Sequence, residues 1–328
     1  MEKATTLKEI AIELGLSVNT VSRALRNCDD IGKKTKKLVI DTAIKLGYLP
    51  NSVAQFVNSE NTPLIVIIVG DISNLYYTIN AKKLSLVINQ NGYTSTILYT
   101  NTDLVTDSII KQCISQRVDG IITLVNFDKE SLKLCELHKI PLVALGISSM
   151  KGLVDLVHYD VDAATNIWAN YIINFHNSQK IVYVGLSGND ESEARLESFK
   201  NNLHKISSFR ESSLSIFNAH DHDIIDLFTE LDGNLSVCCF SDEVAYSLLT
   251  ELNKIVPNVR KSYPHFHLIS FDGLCTHYEG LTDIATIDHD YDKTASEVFN
   301  ILINRKNNPS CPIVTKKLPV NLHTRKIV

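Results

Sequence analysis

The sequence predicts an α/β protein: a small all-helical head followed by two doubly wound parallel-sheet lobes in tandem. Three observations carry that expectation. Residues 5–48 alternate short amphipathic helical stretches with glycine breaks. From residue 64 onward, short and almost wholly apolar β-rich runs recur. Segments of helical periodicity lie between them, and strand–helix alternation means parallel sheets joined by crossover helices.

In the head, Leu7, Ile10, Ala11 and Leu14 recur at the spacing of one helical face. Thr6 precedes them with Glu9 three residues later, the pattern of a capping box. Gly15-Leu16 breaks this helix, and Ser17 caps a second in which Val18, Val21 and Leu25 face the first. A third helix is expected over 33–46, with Leu38, Val39, Thr42 and Leu46 inward and Gly47 closing it. A short helix, a glycine turn and a second short helix make a helix-turn-helix, whose second helix can enter a major groove. A bundle that merely packs would carry an ordinary solvated outer face. Here that face holds Asn19, Thr20, Ser22, Arg23 and Arg26, which are short hydrogen-bonders and forked cations. Asn pairs with an adenine edge and Arg with guanine. Lys33, Lys34, Lys36 and Lys37 cluster where a third helix begins, a place suited to phosphates.

The chain has 328 residues and is 44% hydrophobic, enough for two or three domains with cores. Its formal net charge is −5, yet residues 1–60 hold nine Lys/Arg against seven Asp/Glu, so the acidity lies in the body. Seven cysteines without C-x-x-C spacing, two of them adjacent in the apolar run at Cys238-Cys239, read as buried free thiols. No signal peptide and no membrane-length apolar run are seen, so a cytoplasmic protein is expected.

A polar, proline-ended linker at residues 59–63 marks the first boundary. Strands are expected at 64–70, 97–99, 120–124, 141–145, 181–184, 236–240 and 267–271, and helices at 81–91, 108–116, 163–175, 194–204 and 244–252. Two sheets with a boundary near Tyr159 fit this spacing. Such lobes bind ligands at the carboxyl ends of their strands, in the cleft between them. Asp71, Ser73, Asn74, Tyr76, Tyr77, Asn101, Arg195, Asp242, Asp272, His289 and Tyr291 follow strand ends and are the candidates. Carboxylates, amides, one arginine and flat rings suit a polyhydroxylated ligand. Capping of the next helix competes at each such position, most of all at Asp242-Glu243.

Other chemistry finds little support. His220-Asp221-His222-Asp223 and His265-Phe266-His267 alternate across strand faces and lack zinc spacing, so no metal is expected. There is no G-x-S-x-G, no P-loop and no G-x-G-x-x-G, hence no cofactor and no enzyme. Trp168, at helical spacing with Ile172 and Phe175, reads as core.

The segments TLKEIAIELGLSVNTVSRALRN (6–27), IGKKT (31–35) and LGYLPNSVAQ (46–55) resemble the LacI/GalR family of bacterial transcriptional regulators, and the likeness runs through nearly the whole chain. TVSR and GYLPNSVA are its most specific strings. The resemblance implies base reading by Val18, Asn19 and Arg23, with backbone contacts from Thr6, Ser17, Ser22, Thr35, Tyr48 and Asn51. Residues 51–58 match the hinge helix that inserts a leucine into the minor groove; Val57 stands at that position here. DISNLYY, ARLESF, FSDEVA, SFDG and ATIDHDY resemble effector-cleft segments, which places Asp71, Tyr77, Arg195, Asp242, Asp272 and His289 around a ligand, with Tyr291 beside His289. His289 stands where glutamine is common, and Leu75 where proline is.

The implied organisation is a head at 1–50, a hinge helix and linker at 51–63, a first lobe at 64–159 joined by 290–322, and a second at 160–289. The core would be periplasmic-binding-protein-like. No leucine heptad tail follows the closing strand, which implies a homodimer reading pseudo-palindromic double-stranded operator DNA. The expected function is a DNA-binding regulator, a repressor by preference, controlled by a small-molecule effector, a sugar before a purine-type corepressor. A head fused to a sugar-acting enzyme, or a sugar-transport protein, are the other readings.

Overall fold

The computed structural model describes residues 5–25, 28, 30–48, 63–100, 104–175, 180–219, 221, 234–255 and 266–324. The chain divides into two compact units, residues 1–62 and 63–328.

The first unit packs α1 (Leu7–Leu14), α2 (Val18–Leu25) and α3 (Lys33–Lys45) around Ile10, Ala11, Val21, Ala24, Val39 and Ala43. The capping box forms: Glu9 N–H donates to Thr6 Oγ1, and Thr6 N–H donates to Glu9 Oε2 at 2.6 Å. Gly15 ends α1 with φ +62°, a conformation a side chain disfavours. Ser17 Oγ accepts from Thr20 N–H at 3.0 Å and so caps α2. Two residues expected inside lie outside: Val18 is 44% and Leu38 53% exposed. Val18 is the first residue of α2, ahead of the contact made by Val21 and Ala24. On α3 the inner face is Val39, Thr42 and Ala43, which turns Leu38 about 100° away.

The second unit holds two six-stranded sheets. The first takes β1 (Leu64–Val69), β2 (Thr94–Tyr99), β4 (Gly120–Thr123), β6 (Leu142–Leu145), β7 (Asp155–Tyr159) and β13 (Thr315–Leu318), in the order β13-β7-β6-β4-β1-β2, all parallel. The short β3 (Leu104–Val105) and β5 (Asn126–Phe127) pair separately. The second sheet takes β8 (Lys180–Gly185), β9 (Leu214–Asn218), β10 (Leu235–Cys239), β11 (Phe266–Phe271), β12 (Ala285–Asp288) and β14 (Asn321–His323), in the order β14-β12-β11-β10-β8-β9. Only β14 runs antiparallel, against β12.

The crossover helices are α4 (Leu75–Gln90), α5 (Asp107–Ser115), α6 (Lys129–Leu137), α7 (Val161–Asn170), α8 (Asp190–His204), α9 (Asp242–Ile255) and α10 (Tyr291–Asn307). The central strands are buried on both faces, as their unbroken apolar runs require. Trp168 is fully buried on α7, and its indole N–H donates to Ser270 O at 3.1 Å.

The chain passes between lobes at β7–α7, β12–α10 and β13–β14. The expectation that 290–322 belongs with the first lobe needs correction at its end. Helix α10 and strand β13 lie on the first sheet, whereas Asn321 and Leu322 pair with Asp288 and Ile287 of the second. The return is anchored by Arg305 on α10, whose Nε and Nη2 each donate to the buried Asp155 carboxylate of β7 at 2.8 Å. Val314 N–H donates to the same carboxylate at 2.7 Å.

Candidate functional site

The head presents Ser17, Val18 and Asn19 exposed in succession at the start of α2, with Ser22 and Arg23 half-exposed one turn on. That is the end of a second helix that meets base edges in a helix-turn-helix. Arg23 Nη2 lies 2.7 Å from Asp30 Oδ2, and this pairing holds the guanidinium above and the carboxyl below their ordinary pKa values. Lys33, Lys34 and Lys37 are exposed at the first turn of α3, which carries no acidic residue. Thr6 and Ser17 are exposed while capping their helices; Thr35 and Tyr48 are half-buried. Arg26, Asn51 and Val57, with the expected hinge helix at 51–58, lie outside the described residues, as do Asn101 and the His220 and His222 positions.

In the second unit, a cavity of about 280 Å³ opens between the two lobes. Its lining residues sit just beyond the carboxyl ends of β1, β4, β6, β8, β10 and β11, where open α/β sheets bind ligands. Asp71, Asn74, Tyr76, Tyr77, Arg195 and Asp272 line it, so six of the candidates come together there. Tyr76 and Tyr77 meet edge to face with centroids 5.7 Å apart. Both depend on glycine: a Cβ on Gly70 would lie 2.7 Å from the Tyr77 ring, and one on Gly146 would lie 2.9 Å from Tyr76 Oη. Asp71 accepts from Ser73 N–H at 2.8 Å, which holds its carboxyl below the usual range. The Arg195 guanidinium stacks 3.8 Å from the Phe271 centroid and 4.6 Å from that of Phe240. Its Nη1 donates to Phe240 O at 2.6 Å, while its buried Nε has no partner. Asp272 adopts φ +120°, rare for a non-glycine residue, and burial drives its carboxyl well above the ordinary range against the pull of Arg195.

Three candidates lie behind the cavity wall instead. Asp242 is fully buried and spends its carboxylate on Ser270 Oγ, on Thr286 Oγ1 at 2.7 Å and on Leu274 N–H at 2.6 Å. It locks β10 to β11 and β12 rather than facing the cleft. His289 is stacked between Tyr159 and Tyr291, with centroids at 3.8 and 4.1 Å. Burial drives its pKa well below normal, so the ring is neutral, and neither ring nitrogen has a partner. Tyr291 donates its hydroxyl to Asp272 O at 2.8 Å and supports the strained residue from beneath.

Asn126, Asn189, Glu191, Ser241 and Glu243 also line the cavity and are not among the sequence candidates. Asn189 and Glu191 follow β8 as Asp71 follows β1, so the strand-end rule could have found them. Two of these residues bridge the lobes. Asn74 Nδ2 donates to Glu243 Oε2, and Glu191 Oε1 accepts from both the backbone N–H and the hydroxyl of Ser148.

A helix-turn-helix head on a two-lobed, cleft-bearing core defines a DNA-binding transcriptional regulator. The family model described as bacterial regulatory proteins, lacI family, matches residues 6–51. Catabolite control protein A of Staphylococcus aureus is 28% identical over 250 residues, spanning 74% of this chain and 76% of that protein. The protein of the same name from Staphylococcus epidermidis is 28% identical over 249 residues, again 74% of this chain and 76% of that protein. In fold, the lac repressor dimer bound to operator and the anti-inducer ONPF superposes with a TM-score of 0.81 at 17% identity, covering 99% of both chains. The regulator CelR in complex with cellobiose gives 0.65 at 17% identity, covering 98% of this chain and 99% of that one. A LacI-family regulator from Enterococcus faecium with bound ribose gives 0.66 at 18%, covering 80% and 97%. The head thus matches the lacI-family model, and the whole chain shares the fold of the lac repressor. Among the described residues no helix is long and apolar enough to cross a membrane.

Proposed function

We propose that the protein is a homodimeric repressor of a pseudo-palindromic operator, and that a neutral sugar or sugar derivative held between the lobes sets its operator affinity. One observation carries the effector class: among the described residues, the cleft joins Asp71, Glu191 and Glu243, and the Asp272 carboxyl that burial holds above its usual range, to one cation, Arg195. Carboxylates and the amides of Asn74, Asn126 and Asn189 suit paired hydrogen bonds to hydroxyls, and the tyrosines offer faces to C–H groups. The excess of carboxylates repels phosphate, so a free sugar is favoured over a sugar phosphate. A cavity of about 280 Å³ lies at the small end of ligand pockets and suits a monosaccharide. The sugars in the CelR and E. faecium structures accord with this class.

Val18, Asn19 and Arg23 are the proposed base readers, and Thr6, Ser17, Ser22, Thr35 and Tyr48 the backbone contacts. Asp71, Tyr76, Tyr77, Arg195 and Asp272 are the proposed effector contacts. Ile97 and Tyr99 share one face of the edge strand β2 and are 45% and 59% exposed, with Leu86 of α4 at 48%; this apolar margin supports a second copy as the dimer partner. A sugar contacting both lobes would change the angle between them and so the spacing of two heads. By linkage, effector and operator alter each other's affinity by the same factor. Such a protein works in the cytoplasm and has no catalytic chemistry of its own.

A thermal-shift screen of sugars, sugar phosphates and purines on the purified protein tests this. Neutral sugars are expected to raise the melting temperature and to shift operator affinity. A response confined to purines or phosphates would refute the sugar reading.

A further inference from the structure

Cys275, Asp283 and His323 meet on one side of the second lobe, and none of them lines the cleft. Cys275 belongs to the turn Leu274–Thr276 after β11, Asp283 lies just ahead of β12, and His323 is on β14 opposite Thr286. Three separate segments therefore converge. One thiol sulfur, one carboxylate oxygen and one imidazole nitrogen lie within 4.8 Å of one another, all half-buried. No other group of this kind occurs among the described residues.

We infer that these three side chains bind one divalent transition-metal ion, zinc by preference, with water completing a tetrahedron. Sulfur and imidazole ligands select against magnesium and calcium, while Cys, His and Asp together are a zinc donor set. Ligand atoms around zinc at its usual bond lengths stand about 3.3–3.8 Å apart. The three atoms already lie within 4.8 Å of one another, and rotation of these half-buried side chains would draw the thiol in and part the imidazole and carboxylate to that separation. His323 Nε2 already sits 2.7 Å from Asp283 Oδ1, so both point at the shared volume.

Metal binding displaces the thiol proton of Cys275, and the proton between His323 Nε2 and Asp283 Oδ1 moves to Nδ1 or to solvent. Affinity therefore rises with pH. The ion would tie β14, an edge strand entered directly from the third interlobe passage, to β12 and to the turn after β11. It would stiffen that passage.

Cobalt(II) added to metal-free full-length protein tests the site. One equivalent should give the near-ultraviolet thiolate-to-cobalt band with tetrahedral visible bands, and zinc should bleach them. Cys275→Ser should abolish the ultraviolet band, and Asp283→Asn or His323→Asn should weaken binding at least about 10-fold. Alkylation mapping of the unmodified protein tests the site without any variant. One equivalent of zinc should slow labelling of Cys275 but not of Cys28 or Cys311, which are comparably accessible. Absence of the cobalt band, its survival in Cys275→Ser, or equal slowing at all three thiols would overturn the inference.

Discussion

Arg23 on α2 is paired with Asp30 at 2.7 Å, so the side chain best suited to read a guanine is held by a carboxylate of its own head. If Arg23 reads a base as proposed, DNA competes with Asp30 for the guanidinium. A base-specific fork is worth roughly one to two orders of magnitude in affinity. Arg23→Ala is therefore expected to weaken operator binding about 10- to 100-fold, with little change on random DNA. An equal loss on both would mark a phosphate contact instead. Asp30→Asn removes the competitor and should tighten operator binding, measurable by titration of the same duplex.

In the cleft, Arg195→Ala should abolish the effector response while leaving operator affinity without effector close to that of the parent. Parallel collapse of both would make Arg195 a structural residue, which its stacking on Phe240 and Phe271 makes a real alternative outcome.

Asp272 supplies a pH signature. Its carboxyl is held well above the unfolded value, chiefly by burial, so the native state keeps the proton longer than the unfolded chain does. Its contribution to stability accordingly falls as pH rises from about 4, the unfolded value, through the raised folded value. Asp272→Asn tolerates the positive φ and carries no charge. Its melting temperature should gain on the parent's as pH rises from about 4 towards neutrality; curves that stay parallel would contradict this.

The Arg305–Asp155 pair anchors the last part of the chain to β7, with the Asp155 side chain 1% and the Arg305 side chain 16% exposed. Removing Asp155 leaves the mostly covered Arg305 without its charge partner and Val314 N–H without its acceptor. Asp155→Ala should cost about 3–5 kcal/mol of core stability in denaturant titration. Replacing both residues together should cost less than the sum of the single changes.

Ile97→Asp with Tyr99→Asp on the edge of β2 should yield a folded monomer by light scattering, with operator binding reduced because two heads no longer act as one. A dimer that survives would place the interface elsewhere.

Much of this fold was legible before the structure. Thr6 and Glu9 specify their helix start through contacts three residues apart, and the apolar runs at β1, β4, β6 and β10 announce strands buried on both faces. Elements with mixed faces were not legible: β9 is an edge strand, and α6 and α10 carry many charged residues. Leu38 lies outside because periodicity defines a face only to within about one residue's 100° step, whereas Val18, at the first position of α2, precedes the contact with α1. Asp242 is ambiguous between ligand contact and cap in the sequence because a strand-end carboxylate reads the same whether it faces solvent or, as here, Ser270 and Thr286.

By itself the sequence determined the helix-turn-helix head, the alternation that makes two parallel lobes, and the strand ends where a cleft must form, because each follows from contacts between neighbours in the chain. Only the tertiary structure decided which strand-end groups face the cavity and which lie beneath it, that Glu191 and Glu243 reach across to Ser148 and Asn74, and that Cys275, Asp283 and His323 come together. Those groupings depend on how distant segments are ordered in the sheets and where the chain crosses between lobes, and no local spacing encodes either.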